Sequence, residues 1–308
     1  MHKPVLLEQV LQAFEDIDLK TFCDGTLGAG GHAEALLSSH KELVRFFGFD
    51  QDASARELAK QRLAPWGSKV TIIPTNFSQL KEQLNRYSAS SFDGILLDIG
   101  VSSMQIDQGE RGFSFGKEGP LDMRMDTTQE LTASEVVNEW PQEKLAKIFR
   151  DFGEEKRWRR ASQLICERRA LKPFSTTKEL AEFLYPHLKG GKKFQTIHPA
   201  TLIFQAIRIA VNRELEVLEA VLPQAISLLR PGGILAVITF HSLEDRIVKN
   251  YLRFLASDKY DTSGLGGVFL DKKPEVALVT RKPMIASAEE IQCNPRSRSA
   301  KLRIAKKL

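Results

Sequence analysis

Thr21-Phe22-Cys23-Asp24-Gly25-Thr26-Leu27-Gly28-Ala29-Gly30-Gly31-His32-Ala33 is the stretch that decides the fold of this chain. Residues 21–23 form a short apolar run suited to a buried strand, and residues 33–37 continue at helical spacing, so the glycines occupy a strand-to-helix turn. Glycine lets the backbone approach a ligand at such a turn, where the helix N-terminus offers unpaired amides. The same unit recurs downstream. Residues 44–49 read as a strand stopping at Asp50, with a helix from about 53 to 63 behind it. Residues 70–73 lead to Asn76-Phe77, and residues 94–97 end at Asp98. Leu6, Leu7, Val10, Leu11 and Phe14 place an amphipathic helix ahead of them all. Strands alternating with helices predict an α/β fold built on a parallel sheet.

The rhythm breaks at Gln105. From there to His198 no buried strand is legible, and helical signals take over. Thr132-x-x-Glu135 and Thr176-x-x-Glu179 read as capping boxes. Leu145, Ile148, Phe149 and Phe152 follow helical spacing and stop at Gly153, where a left-handed cap is expected. Residues 105–198 therefore read as an inserted helical domain, leaving residues 1–104 and 199–308 to the α/β domain. The α/β pattern resumes with one long helix from about 199 to 222 and a buried strand over 234–239. Two further strands are expected at 276–280 and 302–305.

Composition narrows the function classes. With 42% hydrophobic and 27% charged residues over 308 positions, the chain is globular rather than disordered or fibrous. No apolar run reaches the roughly 18 residues a membrane span needs, and the N-terminus lacks a signal-peptide pattern, so no membrane partner and a cytoplasmic setting are expected. Cys23, Cys166 and Cys293 are far apart and form no CxxC pair, which argues against a disulfide framework or a zinc site; no metal is expected. The net charge of +5 is mild, but its distribution is uneven. Six cations and no acid fall in the last 13 residues, including Arg296, Arg298, Lys301 and Arg303. Residues 150–172 hold eight basic and four acidic side chains. An RNA-facing helix and a salt-laced surface helix both remain open there.

The turn chemistry selects a cofactor. Asp50 lies 20 residues after Gly30 at the end of the next strand, where a carboxylate accepts from ribose hydroxyls. That implies an adenosine-bearing cofactor. An NAD turn must hold a pyrophosphate, beside which Asp24 sits badly. A sulfonium or ammonium is attracted to Asp24 and Asp98, so S-adenosyl-L-methionine fits better. Phe77 is placed to pack on the adenine face, or is simply core. None of the three cysteine contexts suits covalent attack on a pyrimidine carbon, which leaves transfer to N or O.

Several further segments carry a family likeness: His2-x-Pro4-Val5-Leu6-Leu7, Asp50-x-Asp52, Leu97-Asp98-x-Gly100-Val101-Ser102-Ser103-x-Gln105, Arg111-Gly112-Phe113-Ser114-Phe115, Pro120-Leu121-Asp122-Met123-Arg124-Met125-Asp126, Phe240-His241-Ser242-Leu243-Glu244-Asp245-Arg246, and the run from Asn294 to Arg303. Together with the glycine turn they make the chain resemble the RsmH (MraW) methyltransferases over nearly its whole length. The resemblance implies a class I (Rossmann-like) SAM-dependent methyltransferase sheet with an inserted helical domain that recognises RNA. It further implies N4-methylation of a decoding-centre cytosine in bacterial 16S rRNA, within the small (30S) ribosomal subunit. Cofactor contacts carry over onto Gly30, Gly31, His32, Asp50, Phe77, Asp98 and Gln105; Asp24 and Gly28 join them from the turn itself.

Cytosine N4 is a poor nucleophile because its lone pair is delocalised into the ring. Asp98, Ser102 and Ser103 follow the fourth strand and are the candidate acceptors for an N4–H. His241 follows the 234–239 strand and orients the base, accepts a proton late, or plays a structural part. Phe113, Phe115, Asp122 and Arg124 are candidates for gripping an unstacked base, against a packed-hinge alternative. Arg296, Arg298, Lys301, Arg303, Lys306 and Lys307 are candidates for phosphate contact, against a solvated strand face, and Asn294 joins Arg296 and Arg298 as a candidate for substrate binding. The competing classes are a ribosome-assembly factor that keeps the fold as a scaffold, and a methyltransferase for DNA or a small molecule. Oligomeric state, a homodimer included, is left open by the sequence.

Overall fold

The computed structural model describes residues 4–189, 198–260 and 271–308, with the side chains of residues 103 and 104 also left aside. It divides into two compact units, Met1–Gly100 with Leu215–Leu308, and Val101–Glu214.

The first unit is a three-layer α/β sandwich. Helix α1 (Leu7–Phe14) precedes β1 (Thr21–Asp24), α2 (Gly31–Ser39), β2 (Arg45–Phe49), α3 (Ala53–Leu63), β3 (Val70–Ile73), α4 (Leu80–Arg86) and β4 (Phe92–Asp98). After the helical unit come α11 (Glu214–Leu228), β5 (Leu229–Thr239), α12 (Ser242–Ala256), β6 (Val276–Leu278), β7 (Met284–Ile285), α13 (Ala288–Cys293) and β8 (Lys301–Lys307). The strand order is β3-β2-β1-β4-β5-β8-β6, with β7 paired to β8. β1 to β5 run parallel, and β8 is antiparallel to β5, β6 and β7. This is the parallel α/β sheet expected from the alternation, in the Rossmann-like form that the resemblance implies.

Side chains of successive strand residues leave opposite faces of a sheet, and both faces are covered here. Phe22, Phe46, Leu96 and Ala236 pack with Phe14 of α1, Leu36 of α2 and Leu63 of α3. Cys23, Phe47, Leu97 and Val237 pack with Leu84 of α4, Leu222 of α11 and Leu252 of α12. The ring of Phe22 stacks on Phe46 at 5.6 Å and meets the edge of Phe14 at 5.0 Å. Burying each such side chain contributes about 1.5–3 kcal/mol.

The order reverses between β1 and β4. A crevice forms at such a switch point, beyond the carboxyl ends of the strands. Asp24 and Asp98 are the last residues of those two strands.

The second unit comprises α5 (Ser103–Asp107), α6 (Ala133–Glu139), α7 (Gln142–Asp151), α8 (Trp158–Leu171), α9 (Thr177–Leu188) and α10 (Thr201–Asn212). Among the described residues no strand falls between β4 and β5. Its core gathers Val136, Leu145, Phe149, Ile165, Leu184 and Ile207.

Four local readings are corrected. The helix expected over 199–222 is two helices, because Arg213 adopts a left-handed φ of 51°. α10 joins the helical core through Ile203 and Ile207, so that unit ends at Glu214 rather than at 198. The left-handed residue after α7 is Glu154, φ 50°, and Gly153 is there for space: a Cβ would lie 2.6 Å from Leu202 O. Only the first capping box is complete. Thr132 and Glu135 bond reciprocally, whereas Glu179 turns to Ser175 N and Arg168.

Candidate active site

The turn after β1 builds the site around carboxylates. Asp24 Oδ1 accepts from Thr26 N at 2.9 Å and from the Thr26 hydroxyl at 3.3 Å. Thr26 Oγ1 in turn accepts from Asp98 N at 2.6 Å, so one hydroxyl links the ends of β1 and β4. Asp50 accepts from Gly28 N at 2.8 Å and from Asp52 N at 2.7 Å, which ties the glycine turn to the end of β2. Gly28 and Gly30 both have positive φ, 55° and 79°, so side chains at either position would strain the turn. Gly31 is required for another reason: its Cβ would meet Pro4 at 2.6 Å.

The electrostatics are lopsided. Burial, opposed by the Thr26 hydrogen bonds and reinforced by the Asp50 charge, raises the Asp24 carboxyl to about 7. Burial likewise raises Asp50 to about 6. Asp98 is pushed well above the usual carboxylate range by burial first, then by the charges of Asp24 and Glu244. Its Oδ1 is buried without a hydrogen-bond partner among the described residues. No Lys or Arg side chain forms an ion pair with any of the three carboxylates among the described residues. Three buried carboxyls with no Lys or Arg in ion-pair contact, only Arg56 acting on Asp50 from farther off, are suited to a cationic ligand, beside which they ionise.

His32 opens α2 and is buried. Its Nε2 donates to Val5 O at 2.9 Å, leaving Nδ1 facing Asp98 Oδ2 at 3.7 Å. Burial lowers the imidazole to about 4, so it is neutral and the short approach is not an ion pair. Phe77 begins a short turn capped by Asn76, whose Oδ1 accepts from Ser78 N at 2.8 Å. Asn76 also donates to Gln51 at 3.0 Å, and Phe77 packs beside the core under Gly25.

Other predicted residues do local structural work. His241 caps α12: its Nδ1 accepts from Glu244 N, and the Glu244 carboxylate accepts from Phe240 N and His241 N. His241 Nε2 is 3.0 Å from Glu244 Oε1, a close pair lacking hydrogen-bond alignment. Ser102 and Gln105 cap α5 reciprocally, Gln105 N to Ser102 Oγ at 3.2 Å and Ser102 N to Gln105 Oε1 at 3.1 Å. The Ser103 side chain lies outside the described residues.

In the helical unit Phe115 packs against His198 and Phe204, and Phe113 lies under Arg111. Arg124 makes a two-point pair with Asp122 and donates to Thr127 O and Gln129 O, so both residues brace a loop. Asn294 O accepts from Ser297 N at the turn before β8, and Arg298 lines a cavity of about 250 Å³ with His241 and Lys301. Arg303 departs from the phosphate reading, because it is buried and paired with Asp245 at 2.6 Å.

The sequence profile of the MraW methylase family matches residues 1–308. The chain belongs to the MraW methylase family. A relative from Protochlamydia amoebophila, named ribosomal RNA small subunit methyltransferase H, is 55% identical over 308 residues, covering 100% of this chain and 97% of that protein. Relatives of the same name from Symbiobacterium thermophilum and Clostridioides difficile are 46% and 43% identical, each spanning 100% of this chain and 96% and 99% of their own length. As an MraW-family methyltransferase the chain uses S-adenosyl-L-methionine. The residues fit that group: Asp24 and the unsatisfied Asp98 would offer charge to its cationic end, Asp50 would offer a carboxylate to its ribose, and Phe77 an apolar wall. Thr26 is the residue sequence reasoning missed. Its position between Asp24 and Gly28 was visible, but its bond across to β4 depends on strand pairing.

Proposed function

We propose that this chain methylates N4 of a decoding-centre cytosine in 16S rRNA, in the cytoplasm and within the small ribosomal subunit. The observation that carries this reading is Asp98, a carboxylate at the switch point with one buried oxygen unsatisfied. The small-subunit name shared by relatives of full-length coverage supports the RNA class.

Bound S-adenosyl-L-methionine supplies an electrophilic methyl on a sulfonium. The carboxylates of Asp24 and Asp98 ionise more readily beside positive charge, since an opposite charge favours the charged form. Asp98 then accepts a hydrogen bond from N4–H, which localises the nitrogen lone pair toward the methyl. Transfer would exchange the S–C bond for an N4–C bond, and Asp98 would take the N4 proton and pass it to water. Holding the two centres in line supplies much of the rate. Asn294, Arg296 and Arg298 are assigned to the flanking phosphates. Ser102 and His241 are assigned a positioning part through the caps they give α5 and α12.

The test is transfer of labelled methyl to small subunits lacking the modification, with mass spectrometry of digested RNA. N4-methylcytidine at the decoding site is expected, and Asp98→Asn should lower the single-turnover rate at least 100-fold at saturating cofactor. Label on another base, or undiminished turnover by the variant, overturns the assignment. Cofactor binding without any transfer to RNA would favour a different acceptor.

A further inference from the structure

The basic segment of the helical unit is divided in its chemistry. At the C-terminal end of α8, Arg168 pairs with Glu179 and Arg169 donates to Val137 O and Trp140 O. Those arginines hold the fold. At the N-terminal end the cations are exposed and differently placed. Arg159 lies over the Trp158 ring at 4.0 Å, and Arg150 of α7 approaches it at 5.5 Å while paired with Asp151. Lys147, Lys156, Arg159 and Arg160 are exposed, and none has a carboxylate within ion-pair distance among the described residues.

Lys147, Arg150, Trp158 and Arg159 line a groove between α7 and α8 of about 530 Å³, with Gln142 and Gln163 among its polar walls and Glu143 its single acid. Asp151, which pairs with Arg150 and also acts on Lys147, offsets part of this charge; like charges repel, so the remaining excess of cations favours an anion in the groove. Trp158 fixes one guanidinium plane in advance, which lowers the entropy lost when that fork closes on a phosphate.

We infer that the α7–α8 groove binds the phosphate backbone of the RNA substrate, a site separate from the carboxylate crevice. The inference rests on the proposed RNA substrate. Lys147 and Arg159 make the phosphate contacts, Lys156 and Arg160 add long-range attraction, and Trp158 orders Arg159.

The experiment measures binding of the full-length protein to a decoding-region 16S rRNA fragment over a series of KCl concentrations. K147E/R159E should bind at least 10-fold more weakly at low salt. Its log–log salt dependence should be shallower by about 1.4–1.8, the loss of two phosphate contacts. K147A/R159A should show a smaller shift in the same direction. The charge-matched control K41E/K81E, on the α/β unit, should keep the wild-type slope. Melting temperature and cofactor affinity should be unchanged in all three. Wild-type binding and slope in K147E/R159E overturn the groove, as does an equal loss in K41E/K81E, which would signify net charge alone. If wild-type protein methylates the RNA while K147E/R159E binds it normally, only the groove falls. If wild-type protein neither binds nor methylates it, the substrate reading falls and takes the groove with it. Loss of affinity with an unchanged salt slope would point to an acidic protein partner or a distorted helix and overturns the phosphate assignment.

Discussion

His32 Nδ1 lies 3.7 Å from Asp98 Oδ2 while the other nitrogen of the same ring donates to Val5 O. That bond fixes the tautomer: Nε2 carries the proton, and Nδ1 presents a lone pair to a carboxyl whose burial favours its protonated form. Burial thus favours the neutral form of both groups in the ligand-free protein. Nitrogen-detected NMR should show His32 as the neutral Nε2–H form throughout pH 5.5–8, titrating only near 4. An imidazolium signal at pH 6.5 would contradict it. The linkage sign follows from a folded value below the ordinary 6.5. Its stabilising contribution is complete above pH 6.5 and is lost as pH falls toward 4.

Cofactor affinity should rise with pH. Asp24 at about 7 and Asp50 at about 6 are partly protonated near neutrality, and a bound cation favours their ionised forms. Calorimetry from pH 5.5 to 8 should show S-adenosyl-L-methionine binding tighten by about 10-fold or more, with proton release near pH 7. S-adenosylhomocysteine lacks the sulfonium charge and should respond less steeply. In the ligand-free protein the sign is opposite. A folded Asp24 value raised from 3.8 to about 7 means stability falls as pH climbs through that window. Asp24→Asn should flatten both profiles, and a pH-independent affinity in the wild type would refute the carboxylate account.

Arg303 separates structural from RNA-facing cations in the C-terminal segment. Its guanidinium is buried against Asp245, with Lys301 Nζ 3.3 Å from the same carboxylate. Removing one member of a buried pair leaves the other desolvated and typically costs about 3–5 kcal/mol. Lys301 softens that cost, so Arg303→Ala should destabilise the protein by about 2–4 kcal/mol in urea titration. The salt dependence of RNA binding should be unaltered. A stable variant with a shallower salt slope would return Arg303 to the phosphate contacts.

The sheet was legible because its chemistry is local. Strands such as residues 44–49 and 70–73 carry the β-rich apolar runs of a sheet covered on both faces, and the glycine turn shows in residue type alone. The helical insertion was equally legible, but its end was not. The apolar face of residues 202–211 continues into residue 222, and the break comes from a left-handed Arg213, a residue type with no preference for that conformation. Gly153 was noticed for the wrong cause, since close approach of Leu202 O depends on tertiary packing. At the site, Asp24, Asp50 and Asp98 announced themselves by ending strands. Arg124 and Arg303 looked available for RNA because charge is visible in a sequence and a partner across the fold is not.

Thr26 tests whether the two strand ends act as a unit. Its hydroxyl accepts from Asp98 N and donates to Asp24, so it positions both carboxylates without lying at a strand terminus itself. Valine keeps the shape and removes the oxygen, leaving the Asp98 amide unpaired at a cost of about 1–3 kcal/mol. If that cost appears in the placement of Asp98, Thr26→Val should lower kcat by about 10- to 100-fold. KM for the cofactor should rise less, since Asp50 and the glycine amides are untouched. Thr26→Ser restores the oxygen and should recover most of the rate. A merely structural threonine would give a different pattern: a lower melting temperature in the valine variant with kcat unchanged, and that result would remove Thr26 from the catalytic arrangement.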